Sequence, residues 1–336
     1  MTSLPGLAAC SILASLVLYA LTGGADFGGG AWALFNRGPR AEERERLIVQ
    51  AIGPVWETNH IWVIVAIVVL FTGFPGAYAL LSTALFLPVT LVLAGIVLRG
   101  AAFAFYSYHL HRERRAAGWE TLFAASSLLT PFLLGVILGA VSSGMIRGTG
   151  LANLASGTRS WLAAFPLSVG MLTLSSFSYL AAVYLILETD VPELREDFRL
   201  RALVSLAVVV LLSAAIPLFS GGGAPDFHRA LTGSFWSLPL LGGNALAAIG
   251  AGVFLRRRAY RLARVCAAAQ VTLLLAGWGL AQYPFLIRPD LTIRAAAASP
   301  AMLRLLLAAL GAGALLLFPA IFLLLRVFKR KALFGR

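Results

Sequence analysis

Apolar runs follow one another from Leu4 to Phe328, separated by short polar stretches in which arginine, glycine and proline concentrate. A helix needs about 20 apolar residues to cross the hydrocarbon core. Breaks at charge, glycine and proline divide the chain into nine such runs, predicting helices near 5–34, 54–71, 76–106, 119–146, 160–187, 200–219, 231–255, 262–284 and 304–328. The break between the second and third, TGFPG at Thr72 to Gly76, is only a tight turn, so those two helices must be antiparallel neighbours. A membrane-spanning barrel would instead show segments of about 10 residues with dyad alternation. Runs such as Ala202 to Leu212 and Leu303 to Leu325 do not alternate. The pattern therefore predicts an all-α polytopic membrane protein, one integral membrane domain over residues 1–336, with two four-helix bundles and one peripheral helix.

Composition agrees: with 60% hydrophobic and 12% charged residues, the chain has too little polar surface to cover a soluble globule. A formal charge of +13 would point a soluble protein toward nucleic acid, but here the basic residues sit at helix ends, and nucleic-acid binding is excluded. Segments after the odd-numbered helices hold 20 of the lysines and arginines, those on the opposite side six. One helix miscounted early would scramble that split. The positive-inside rule thus supports nine spans, N-terminus outside and C-terminus cytoplasmic. The opening segment MTSLPGLAAC has an apolar run but no basic leader, and reads as the retained first helix.

Cys10 and Cys266 lie in predicted helices without CxxC or Cys/His spacing, so neither a disulfide nor a metal framework is expected. A haem on two axial histidines needs both inside the bundle. Of His60, His109, His111 and His228 only the first is clearly within a span, so no haem of its own is expected.

Ionisable groups inside a bilayer are costly and carry the functional information. Asp26 lies in GGADFGGG (Gly23 to Gly30), Glu57 and Asn59 in IGPVWETNHIW (Ile52 to Trp62), and Arg99 in VLRGAAFAF (Val97 to Phe105). His60 follows Glu57 by about one helical turn. The topology puts all of them in the cytoplasmic half. Gly24 and Gly28 permit close helix approach, so two or three of these groups could share a pocket. A carboxylate cluster open to the cytoplasm is what proton uptake requires. Plainer readings stand beside this one. Glu57 in a first turn is favoured by the helix dipole. Asp26 and Arg99 could be a structural ion pair, and His60 a satisfied interior histidine. Trp56, Trp62, Trp119 and Trp161 near helix ends read as interfacial anchors. The tracts His109 to Arg115 and Arg326 to Arg336 read as solvated or lipid-facing charge.

The ordered set GADFGGG, AIGPVWETNHIW and FPGAYALLSTALFLPVTLVLAGIVLRG, spanning Gly24 to Gly100, resembles subunit II of the cytochrome bd quinol oxidases. The GPVW segment followed by an acid, Asn and Trp is its most specific element. The resemblance implies a heterodimer in which subunit I binds haem b, haem d and the quinol. Subunit II would support it and lend polar groups to proton uptake, in a complex that oxidises quinol and reduces dioxygen to water. Membrane lipid, quinone and a small accessory subunit are further partners in this picture. Glu57 matches the family's acid of the proton path, Asp26 the acid of the first glycine-rich motif, and Arg99 the arginine of LRG. Asp26, Glu57 and His60 become the proton-pathway candidates, and Arg99, Trp56 and Asn59 the structural or subunit-contact ones. The chain departs from the pattern at His60, where many members carry an acid, and at Tyr106 and Ser107, where many carry a basic residue. Two other readings are a secondary transporter with a midplane site, which needs half-helices in corresponding halves, and a purely structural partner. Charges crowded toward one face argue against the transporter.

Overall fold

The computed structural model describes residues 3–54, 56–111, 117–147 and 160–328. Its helices are α1 (Leu4–Leu34), α2 (Ala41–Ile52), α3 (Trp56–Asn59), α4 (Ile61–Gly73), α5 (Pro75–Ala84), α6 (Phe86–His111), α7 (Ala117–Ser142), α8 (Ala164–Glu188), α9 (Pro192–Gly223), α10 (Pro225–Gly233), α11 (Ser237–Arg256), α12 (Tyr260–Gln282) and α13 (Pro300–Phe328). Strands β1 (Phe285–Ile287) and β2 (Leu291–Thr292) form a small antiparallel hairpin between α12 and α13. Among the described residues nine helical segments are long and apolar enough to cross a membrane. Prolines at the first turns of α5, α9 and α10 open those helices where a missing N–H costs nothing.

Helices α8, α9, α11 and α12 close into a ring of four, while α4, α6 and α7 gather with α1 into a second group. The two groups meet where α1 and α7 pack on α8. Helix α13 touches α1 and α4 and leaves nearly all its surface outward, as the expected peripheral helix. The seam between the groups depends on Gly28: a Cβ there would run into the backbone carbonyl of Phe177 on α8. Between the groups lies an interhelical cavity of about 290 Å³, lined by Tyr19, Leu138, Ser213, Leu240, Asn244 and Trp278 among others.

Several elements depart from the sequence expectation. The second predicted helix, 54–71, is broken at Asn59–His60, where the His60 N–H turns back to the carbonyl of Glu57. The third, 76–106, divides at Leu85, because Pro88 in the first turn of α6 has no N–H for the carbonyl four residues back. The seventh, 231–255, begins only at Ser237, with Pro239 in its first turn, and α10 stands apart before it. The sixth, 200–219, is extended at its polar start to Pro192. Helix α2 and the hairpin lie in stretches the hydropathy reading left as loops. The side chains of Trp56 and Trp62 pack against aromatic rings of neighbouring helices. Trp56 lies 5.7 Å from the ring of Phe103, and Trp62 lies 5.8 Å from Phe318 of α13. Arg112, Arg114, Arg115, Arg159 and the basic residues after Phe328 fall outside the described residues.

Helix α2 is amphipathic: Leu47, Ile48, Val49 and Ile52 face inward while Glu42 and Glu43 face out. Arg44 fastens it. Nε donates to Asn36 Oδ1 at 2.8 Å, Nη1 to Asp197 at 2.7 Å and Nη2 to the carbonyl of Arg37 at 2.8 Å. Arg44→Ala is expected to lower stability by about 2 kcal/mol, since charge-assisted bonds contribute roughly 1.5–3 kcal/mol each and Asp197 keeps access to water. Thermal unfolding of the purified protein, with proteolysis of the 36–53 segment, measures it. Across the molecule, Arg288 pins the hairpin by donating to the carbonyl of Ala281 and lying 5.1 Å over the ring of Phe285. Burial pushes its guanidinium below the ordinary pKa, and nearby Asp226 pulls it back up.

Candidate functional site

The predicted polar residues converge on the crossing of α1, α3, α6 and α7. The glycine run of α1 leaves Asp26 the only carboxylate on an otherwise small-residue surface, and it is 5% exposed. The break between α3 and α4 turns Asn59, 7% exposed, inward, where its Nδ2 donates to the Asp26 carboxylate. Arg99 reaches the same region from α6 and is 1% exposed. Its Nε donates to Ser127 Oγ of α7 at 3.1 Å, and its guanidinium lies 4.6 Å from the Phe27 ring centre and 5.2 Å from that of Phe123. A Cβ on Gly30 would collide with Ser127 Oγ, so the Ser127 side chain of α7 packs directly on α1 here.

The expected Asp26–Arg99 ion pair is not among the salt bridges of the described residues, and among those residues Arg99 Nη1 and Nη2 have no hydrogen-bond partner. Arg99 and Asp26 are both buried at this crossing. His60, half-buried, pairs with Tyr19, whose hydroxyl lies 3.3 Å from Nδ1. Tyr19 in turn lines the interhelical cavity, so the polar seam runs from Arg99 and Asp26 to the cavity wall. Glu57 does not join it. Its side chain points outward from α3, exposed, while Trp56 on the same short helix rests against Phe103. A second acidic contact lies toward the arginine-rich end, where the Tyr106 hydroxyl donates to Glu45 of α2.

Sequence reading passed over Tyr19, Phe27, Phe123 and Ser127. Tyr19 was within reach, since it precedes Asp26 by seven residues and so shares its face of α1. Ser127 and the two phenylalanines carry no signal without the helix pairing. Among the described residues, no group of three or more His, Cys, Asp and Glu stands close enough to hold a metal ion.

Fold and seam define a class: a polytopic helical membrane protein with a buried ionisable cluster in one half of its span. The family model for cytochrome bd terminal oxidase subunit II matches residues 4–328, and the chain belongs to that family. A Bacillus subtilis (strain 168) protein, named for a cytochrome bd menaquinol oxidase as its subunit II, is 25% identical over 98% of this chain and 96% of its own length. The Escherichia coli (strain K12) cytochrome bd-I ubiquinol oxidase subunit 2 is 28% identical over 39% of this chain and 34% of its own. A solved chain of the bd oxidase from Geobacillus thermodenitrificans shares the fold, with a TM-score of 0.82 over 100% of both chains at 22% identity. The protein is thus one subunit of a respiratory oxidoreductase complex of the inner membrane, and a second subunit implies a first.

Proposed function

We propose that this chain supports the haem-bearing subunit I of a quinol oxidase and contributes to proton uptake from the cytoplasm. The observation that carries the reading is the buried Asp26–Asn59 pair facing Arg99 in the arginine-rich half, with Glu57 exposed beside it. In the proposed orientation the arginine-rich end is cytoplasmic, the N-terminus outside and the C-terminus inside. Glu57 then collects protons at the surface, and Asp26, Asn59, His60 and Tyr19 form the interior polar line. Haem b and haem d, with the quinol, are assigned to subunit I, which oxidises quinol and reduces dioxygen to water. A small accessory subunit completes the complex. The cavity between the helix groups, almost wholly apolar in its lining, suits the tail of a membrane lipid or quinone.

Glu57→Gln is expected to leave the complex assembled with its haems and to slow oxygen consumption at saturating quinol. The loss should be on the order of tenfold, short of the ~100-fold that removing a proton-transfer group at the reacting atoms costs, because water can bypass a surface site. Turnover equal to wild type would remove the proton role and leave a scaffold.

A further inference from the structure

Arg99 is 1% exposed and has a complete set of neighbours except along one edge. Phe27 and Phe123 cover its faces and Ser127 Oγ accepts from Nε–H, but Nη1 and Nη2 have no acceptor among the described residues. The Thr130 hydroxyl, fully buried on α7, is also without a partner among the described residues. These orphans belong to one place. Thr130 follows Ser127 by three residues, so both side chains emerge from the same face of α7. Thr130 sits directly on Gly95, where a Cβ would collide with its Oγ1, and Gly95 lies one turn before Arg99 on α6. The helix pairing therefore brings the free guanidinium edge and the free hydroxyl to the same crossing.

Buried polar groups in native proteins are almost always hydrogen-bonded, and an isolated set of donors and acceptors is what an ordered internal water satisfies. The occupant must accept from the guanidinium and also bond a hydroxyl. Water does both, whereas an apolar tail does neither. All three atoms are sealed from the surface, so a headgroup or a substrate has no approach. We propose that α6 and α7, closed over by α1, enclose a buried water site whose water accepts from the Arg99 Nη groups and hydrogen-bonds Thr130 Oγ1. The water holds the guanidinium edge in place, and with it the positive charge at the crossing of α1, α6 and α7. The site stands independently of the proton-uptake reading.

The test is a cryo-electron microscopy map of the intact two-subunit complex, at a resolution that shows ordered water, for wild type, Thr130→Val and Thr130→Ser. Density within hydrogen-bonding distance of both the Arg99 Nη atoms and the residue-130 hydroxyl is expected in wild type and in Thr130→Ser, and its loss or weakening in Thr130→Val. The proposal is overturned if the Nη atoms bond a protein oxygen of either subunit with no water present, or if the density is unchanged in Thr130→Val. Should the valine variant fail to assemble, the wild-type map decides by the presence or absence of the peak. A wild-type peak together with unimpaired Glu57→Gln turnover would keep the water site while removing the proton role.

Discussion

Gly28→Ala is expected to cost about 3 kcal/mol and to cut recovery of the folded subunit severely, although it adds one methyl group. The cost follows from what that methyl would meet. On α1 at Gly28 an added Cβ runs into the carbonyl carbon and oxygen of Phe177 and comes within 2.7 Å of Ala181 Cβ, so the obstruction is the backbone of α8. Neither helix can yield without separating the two helix groups. Gly24, one turn earlier, supplies the control: there a Cβ would meet only the ring of Phe177, at 2.8 Å, and a ring can rotate aside. Overpacking typically costs about 1–3 kcal/mol, so Gly24→Ala belongs at the lower end and Gly28→Ala at or above the upper. Set against a total stability of roughly 5–15 kcal/mol, the difference is large. Yield from membranes and the thermal midpoint of the detergent-purified complex would show it. Equal behaviour of the two variants would mean that α1 and α8 are not held at backbone contact.

The same contrast explains what could be read from the sequence. Helix number followed from length and hydropathy, because lipid demands runs of fixed length whatever the neighbours do. Helix interruptions did not. The break at Asn59–His60 falls at the end of the polar run Glu57 to His60 with no proline at the break itself, and the inward pull of Asn59 on Asp26 gives it a purpose. Helix α2 escaped because a helix that lies against the protein need not be long or uniformly apolar, and a hydropathy window registers neither condition. For the site, Asp26, Asn59 and Arg99 were visible as polar exceptions in apolar runs, and the structure brings them together. Glu57 carried the most specific motif yet points away from them. Position 57 differs from 59 by two residues, about 200° around a helix, so one helix could not have offered both to the same pocket.

Arg99→Ala is expected to reduce recovery of the assembled heterodimer more than any other single substitution in the seam. The loss has two parts. Removing the guanidinium empties the space between Phe27 and Phe123, and it also takes away the cation buried at the same crossing as the Asp26 carboxylate. Stranding one member of a buried charge pair costs about 3–5 kcal/mol, while replacing both by neutral groups of similar volume is often nearly neutral. Arg99→Met restores most of the volume without the charge, and Asp26→Asn removes the stranded carboxylate while Asn59 can still bond it. Recovery should therefore rise in the order Arg99→Ala, Arg99→Met, then the double variant Asp26→Asn with Arg99→Met, which approaches wild type in assembly. Heterodimer yield and haem content per purified subunit measure the series. A fully assembled Arg99→Ala complex would count against any structural part for this side chain. A double variant no better than Arg99→Met would show that packing between the two phenylalanines, rather than charge balance across the seam, is what the arginine supplies.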